Sequence, residues 1–229
     1  MNCNYCHQTI NRNLTLKEIF LPQKILSEQL CSRCMKTFQL LEKKDSCQGC
    51  QRQSTQTAYC KDCLRWQQIY PNYNFQHEAL FSYNQAMQEW FELYKFKGDY
   101  RLRHSFVPYL QSYFKQKKTF LAIPMPISKE RMEVRGFNQV EGLLDAAGIP
   151  YEPHLIRFTH GLSQVQKTRK ERLSLKQPFK LTQEGQKAVL NRDIILVDDI
   201  YTTGRTTFHG AQVILANHPA KLYTFSLAR

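Results

Sequence analysis

Residues 194–206, IILVDDIYTTGRT, narrow the choice of fold more than any other part of the chain. Four apolar residues without a polar interruption suit a strand buried on both faces, the habit of a parallel sheet covered by helices. Asp198 and Asp199 end that strand, Thr202, Thr203, Gly204, Arg205 and Thr206 follow, and Phe208, Ala211 and Leu215 then recur at helical spacing. Such a strand, loop and helix offers backbone N–H groups, hydroxyls and a helix N-terminus to an anion, while the paired carboxylates can hold hydroxyls or a divalent cation. Anion and diol together describe a sugar phosphate. Solvated aspartates or helix-capping threonines would explain either feature alone; both at this spacing, between strand and helix, favour a ligand site.

Over its whole length the stretch resembles the phosphoribosyl-diphosphate signature of type I phosphoribosyltransferases. The resemblance implies a catalytic pair, Asp198 and Asp199, that meets the ribose hydroxyls of phosphoribosyl diphosphate with Mg2+ nearby. It also implies that Thr202, Thr203, Gly204, Arg205 and Thr206 cradle the 5-phosphate.

The cysteines set the second constraint. All eight fall in four CxxC pairs: Cys3 and Cys6, Cys31 and Cys34, Cys47 and Cys50, Cys60 and Cys63. The 229 residues give room for one ordinary domain and a small one. No apolar run approaches the roughly eighteen residues of a membrane span, and the first residues lack the apolar stretch of a secretory signal, so a cytoplasmic protein without membrane insertion is expected. Thiols stay reduced in that compartment, and metal binding becomes the leading account. Two CxxC knuckles complete one tetrahedral site, so residues 1–66 are expected to form a zinc-ribbon module with two structural Zn2+ ions. Pairing in sequence order puts Cys3, Cys6, Cys31 and Cys34 on one ion and Cys47, Cys50, Cys60 and Cys63 on the other; an interleaved scheme uses the same residues. Cys3, Cys6 and His7 also fit the CxxCH of covalent haem attachment, but three more pairs without histidine argue against it, as crowding argues against a thioredoxin-type redox pair. Four-cysteine sites have no open coordination position, so such ions scaffold rather than catalyse. They bring the formal charge of +13 to about +9, still basic enough to favour acidic partners.

Residues 67–74, with Pro71 and two asparagines, read as a linker, and the second domain is expected over 75–229. Met87, Trp90, Phe91 and Tyr94 recur at three and four, the apolar stripe of a helix ending at Lys95, Phe96, Lys97 and Gly98. A second helix is expected over 106–114, with Pro108 in its first turn. Lys95, Lys97, Arg101, Arg103, Lys115, Lys117 and Lys118 face only Asp99. Interleaved with tyrosine and phenylalanine they suit a single-strand groove, although solvated helix ends over a buried stripe are the commoner origin of such a pattern.

Residues 119–123 form a short strand that runs into Pro124, Pro126, Lys129 and Arg131, followed by Arg135, Gly136, Phe137, Asn138 and Gln139. By resemblance to type I phosphoribosyltransferases this loop, often of unusual peptide geometry, would hold pyrophosphate, with Lys129, Arg131 and Arg135 as its cations. PxPxxxxRxxxRGFNQ over 124–139, DDxxTTGxT over 198–206, the four CxxC pairs and the Lys95 to Gly98 segment together resemble the ComF family across nearly the whole chain. That resemblance implies zinc ribbons joined to a phosphoribosyltransferase-like domain, a role in natural competence, and the uptake and processing of single-stranded DNA with a helicase-like ATPase (ComFA-type) as partner. Gln164 and Arg172 match the family's Q-to-R segment. It is a polar stretch that suits either a loop closing over a diphosphate or a surface loop without a role.

The expected architecture is an α/β domain of the type I phosphoribosyltransferase kind behind the zinc module. Its sheet is mainly parallel, with strands at 120–123, 154–157, 194–197 and 222–226 and ligand at their C-terminal ends. Purine enzymes resembling it place an aspartate base where Thr202 stands. Threonine cannot serve as that base, so binding of phosphoribosyl diphosphate is favoured over transfer to an unidentified acceptor. A zinc-dependent nucleic-acid-binding protein without a sugar-phosphate ligand is the third reading.

Overall fold

In chain order the elements are α1 (Ser32–Met35), α2 (Lys61–Ile69), β1 (His77–Phe81), α3 (Gln85–Lys95), a 3-10 turn (Tyr100–His104), α4 (Val107–Lys115), β2 (Leu121–Pro124), α5 (Lys129–Arg135), α6 (Gln139–Ala147), β3 (Leu155–Arg157), β4 (Phe179–Leu181), α7 (Gln183–Val189), β5 (Asp193–Ile200), α8 (Arg205–Leu215) and β6 (Lys221–Ala228). The computed structural model describes residues 2–11, 20, 29–42, 44–53, 59–70, 76–158 and 177–229.

Four strands form one parallel sheet in the order β1, β6, β5, β2. β5 lies inside it, with Ile195 opposite Tyr223 of β6 on one side and Ala122 of β2 on the other. Its unbroken apolar run is explained by cover on both faces. Ile195 and Val197 enter a core with Trp90, Tyr94, Phe106, Leu110 and Leu144, while Ile194 and Leu196 enter a second core with Leu155, Phe179, Ala211 and Ile214. The strand period of two makes that division.

The helical stripe forms as its spacing predicts. Asn84 caps α3 by accepting from the Met87 N–H at 3.0 Å, and Met87, Trp90, Phe91 and Tyr94 are all buried. Trp90 Nε1 donates to Ser105 Oγ at 3.1 Å, and the Tyr94 hydroxyl donates to the Gln139 carbonyl at 3.0 Å, so both buried polar tips are satisfied.

Several elements depart from the sequence reading. The 154–157 segment does not join the sheet: β3 pairs antiparallel with β4, and this pair packs against α8. The fourth strand is instead β1, whose sequence HEALF opens on a polar pair and lacks a continuous apolar run. His77 is accommodated there because Thr224 Oγ1 and Ser226 Oγ of β6 each lie 3.0 Å from a ring nitrogen. α2 continues to Ile69 inside the stretch read as a linker, and α5 stands where a loop was expected. The outer edge of β1 is covered by the cysteine region: His77 N–H donates to the Gly49 carbonyl at 2.9 Å, Leu41 N–H to the Leu80 carbonyl at 2.9 Å, and Ser82 N–H to the Gln39 carbonyl at 2.8 Å. An open strand edge is thereby closed. No helix among the described residues is long and apolar enough to cross a membrane.

Candidate functional site

Asp199 follows Ile195 and Val197 onto the α3 face of the sheet. There it forms an ion pair with Lys95, the last residue of α3, the two side chains being 8% and 12% exposed. Asp199 Oδ1 accepts the Ile200 N–H at 2.8 Å, and Asp198 Oδ1 accepts the Asp199 N–H at 2.9 Å. Beyond Lys95, Asp199 Oδ2 has no partner among the described residues. Burial opposes charge on both acids. For Asp198 burial prevails, reinforced by the neighbouring Asp199 charge, and its pKa rises well above the ordinary carboxylate range. For Asp199 the Lys95 ammonium outweighs burial and holds the carboxylate below that range.

Next along the chain Tyr201 is buried, whereas Thr202, Thr203, Arg205 and Thr206 are exposed around a buried Gly204 at the N-terminus of α8. Gly204 has φ +80°, and a Cβ there would lie 2.2 Å from the Tyr201 hydroxyl. Tyr201 cannot readily yield, because the His77 ring packs on it with centroids 4.1 Å apart. Gly204→Ala is therefore expected to cost about 2 kcal/mol and to lower the thermal midpoint by roughly 4 to 8 °C. An unchanged melting curve would show that the turn accepts a side chain.

The loop after β2 lies beside that after β5, and every peptide bond described there is trans. Asn138 ties the RGFNQ turn to it, donating from Nδ2 to the Met125 carbonyl at 3.1 Å and to Glu141 Oε1 at 2.9 Å. Arg135 is brought to the acids: its Nε donates to the Lys95 carbonyl at 3.1 Å, its Nη1 bonds Gln139 Oε1, and Asp199 acts on its charge. After burial, the Arg131 charge is what most disfavours the guanidinium charges of Arg135 and Arg157. Arg131, Arg135 and Arg157 thus share one electrostatic neighbourhood, which an anion would relieve. Lys129 is exposed on α5. Gln164 and Arg172 lie outside the described residues. Sequence reasoning missed Arg157, and read Lys95 as a helix-end cation, part of a motif and a member of a candidate single-strand groove, not as the partner of Asp199. Trp66 and Arg229, which reach the loop backbone from elsewhere, carry no local signal at all.

The cysteines form two groups in sequence order, Cys3, Cys6, Cys31 and Cys34, and Cys47, Cys50, Cys60 and Cys63, with all sulfurs of a group within 4.8 Å of one another. None of the eight is in a disulfide. Tetrahedral zinc with Zn–S bonds of about 2.3 Å places sulfurs about 3.8 Å apart. The Sγ distances Cys6 to Cys31, Cys47 to Cys63 and Cys50 to Cys60 are each 3.7 Å. Backbone N–H groups also point at the sulfurs, from Cys31 to Cys3 at 3.3 Å and from Cys60 to Cys47 at 3.2 Å. Both groups fit a four-coordinate ion.

Competence protein ComFC of Streptococcus pneumoniae (strain ATCC BAA-255 / R6) is 37% identical to this chain over 230 residues, covering 100% of both. The chain belongs to the ComFC family. Competence protein ComFC of Bacillus subtilis (strain 168) is 30% identical over 233 residues, covering 99% of this chain and 94% of its own length. No family model matches. Among solved structures, the glutamine phosphoribosylpyrophosphate amidotransferase of B. subtilis complexed with ADP and GMP is similar at 19% identity and a TM-score of 0.34, over 53% of this chain and 26% of its own. The match spans about a quarter of the amidotransferase's length. The Trypanosoma cruzi hypoxanthine phosphoribosyl transferase is similar at 15% identity and a TM-score of 0.35, over 56% of this chain and 63% of its own.

Proposed function

We propose that this ComFC family member acts in natural competence as a cytoplasmic binder of phosphoribosyl diphosphate and Mg2+, and that it processes single-stranded DNA with a helicase-like ATPase partner. The observation that carries the reading is the buried Asp198 and Asp199 pair at the end of an interior parallel strand, followed at once by a hydroxyl-rich loop at a helix N-terminus. Asp198 and Asp199 would hold the ribose hydroxyls, Asp199 through the oxygen that now meets Lys95 alone. Thr202, Thr203, Gly204, Arg205 and Thr206 would hold the 5-phosphate. Lys95, Lys129, Arg131, Arg135 and Arg157, with Gln164 and Arg172, supply donors for the diphosphate. Bound Mg2+ would neutralise part of the diphosphate charge. Residues 1–66, with α2 running on to Ile69, serve as a module with two structural Zn2+ ions ahead of the phosphoribosyltransferase-like domain at 75–229. The loop carries Thr202 and no carboxylate base, which favours recognition without turnover.

Calorimetry with phosphoribosyl diphosphate and Mg2+ tests the reading, and no heat of binding would sink it; pyrophosphate release with an added acceptor would instead favour an active transferase. The raised pKa of Asp198 adds a pH dependence. Holding a diol requires its ionised form, so binding expels its proton and affinity climbs as pH rises through the elevated value. An affinity that nowhere climbs as pH rises above the ordinary carboxylate range, with a binding heat indifferent to the buffer's own ionisation, would contradict the shared-site account.

A further inference from the structure

The loop at 202–206 is held from behind by groups attached to the second cysteine centre. Trp66 sits on α2 one turn beyond Cys63, and its Nε1 donates to the Thr203 carbonyl at 2.8 Å. Its indole stacks on Phe208 of α8, centroids 4.4 Å apart at 17°, and Tyr70 lies nearly parallel to both rings. Arg229, next after β6, donates from Nη1 to the carbonyls of Tyr201 at 3.4 Å and Thr202 at 3.3 Å, and from Nη2 to Cys50 Sγ at 2.9 Å. Tyr201, Trp66 and Phe208 share one buried cluster with Cys47, Cys50 and Cys63.

Three consecutive carbonyls, those of residues 201, 202 and 203, are therefore drawn toward the cysteine centre. In a planar trans peptide the N–H of the next residue points opposite to the carbonyl. Tying these carbonyls down turns the N–H groups of Thr202, Thr203 and Gly204 the other way. None of the three donates to a backbone carbonyl among the described residues. We infer that Trp66 and Arg229 are positioning residues that aim these N–H groups at an anion, so that the Cys47, Cys50, Cys60 and Cys63 centre is part of the framework of the phosphate loop. The inference rests on the sugar-phosphate reading for the identity of the anion, but not for the tethering itself.

Trp66→Phe keeps the ring stack and removes only the N–H, and Arg229→Met keeps an apolar stem and removes the donors. Both proteins should retain wild-type metal content. Without ligand, amide hydrogen exchange at 202–206 should quicken about fivefold or more while β5 and β6 stay as protected as before. Affinity for ribose 5-phosphate should fall roughly tenfold in each variant, and affinity for inorganic pyrophosphate should stay within about twofold. Unchanged loop exchange together with unchanged ribose 5-phosphate affinity would overturn the inference. Equal losses for both probes would also overturn it, since they would mark a general structural defect. If wild-type protein binds neither probe, the sugar-phosphate reading fails and loop exchange alone decides the positioning roles. If Arg229→Met loses metal, the same measurements on Trp66→Phe decide between the two outcomes.

Discussion

Stripping metal from the purified protein with a strong chelator is expected to release two zinc atoms per chain and to lower the thermal midpoint by more than about 10 °C. The size of the effect follows from where the two centres sit. Cys3 and Cys34 are buried in one core with Leu30, Phe38, Trp90 and Phe106, and Phe38 packs edge-on against Phe106 at 5.0 Å. Cys47, Cys50 and Cys63 are buried with Trp66, Tyr201 and Phe208. Each centre therefore anchors a different side of the sheet domain. Coordination in such sites is worth roughly 10 kcal/mol or more, and losing even a third of it after relaxation moves a domain of this size by about the stated amount. The β1 edge would be uncovered as well, so aggregation should accompany unfolding. A Cys63→Ser protein should retain one zinc. Purified protein with fewer than two zinc atoms, or a midpoint indifferent to chelation, would overturn the two-centre account.

What could be read from the sequence was local. The run at 194–197, bounded by the two acids and the hydroxyl-rich loop, suits a strand covered on both faces, and the spacing of Met87, Trp90, Phe91 and Tyr94 marks a helix and its buried face. The eight cysteines fix two four-sulfur sites, but CxxC spacing is the same for sequential and interleaved pairing. Only folding decides between them. β1 escaped notice because His77 needs two hydroxyls from a strand far along the chain before burial becomes tolerable. The basic residues of the middle region illustrate the same limit. Lys95 turns to Asp199, Arg101 to Asp99 at 2.8 Å, and Lys117 to Glu78 at 3.7 Å and the Tyr223 ring at 4.3 Å. Of that apparent cationic groove, Lys97, Arg101, Lys115 and Lys118 are exposed, and Arg101 is already paired. Trp66 and Thr203 are 137 residues apart, and no pattern of residue types within either segment encodes their contact.

Replacing the two site aspartates one at a time should weaken phosphoribosyl diphosphate binding similarly while moving stability in opposite directions. Asp199→Asn removes the partner of a Lys95 ammonium that is only 12% exposed. Breaking a buried pair from one side leaves an uncompensated charge, so a loss of about 3 kcal/mol is expected at neutral pH. Asp199 has a depressed folded pKa, so its contribution is present above the ordinary 3.8 and disappears as pH falls through the lower folded value. The stability gap between wild type and Asp199→Asn should accordingly close in acid. Asp198 is the reverse case: its folded pKa is raised, so ionisation at neutral pH works against the fold. Asp198→Asn removes that penalty, and its midpoint should equal or exceed that of the wild type. For ligand, each change deletes a carboxylate that accepts hydroxyl hydrogen bonds, a loss of about 3 kcal/mol or roughly a hundredfold in affinity. Paired denaturation and calorimetry on the two variants decide the matter. Equal destabilisation by both would refute the assignment of charge to Asp199 and proton to Asp198, and undiminished binding in either would remove the ribose contact from that residue.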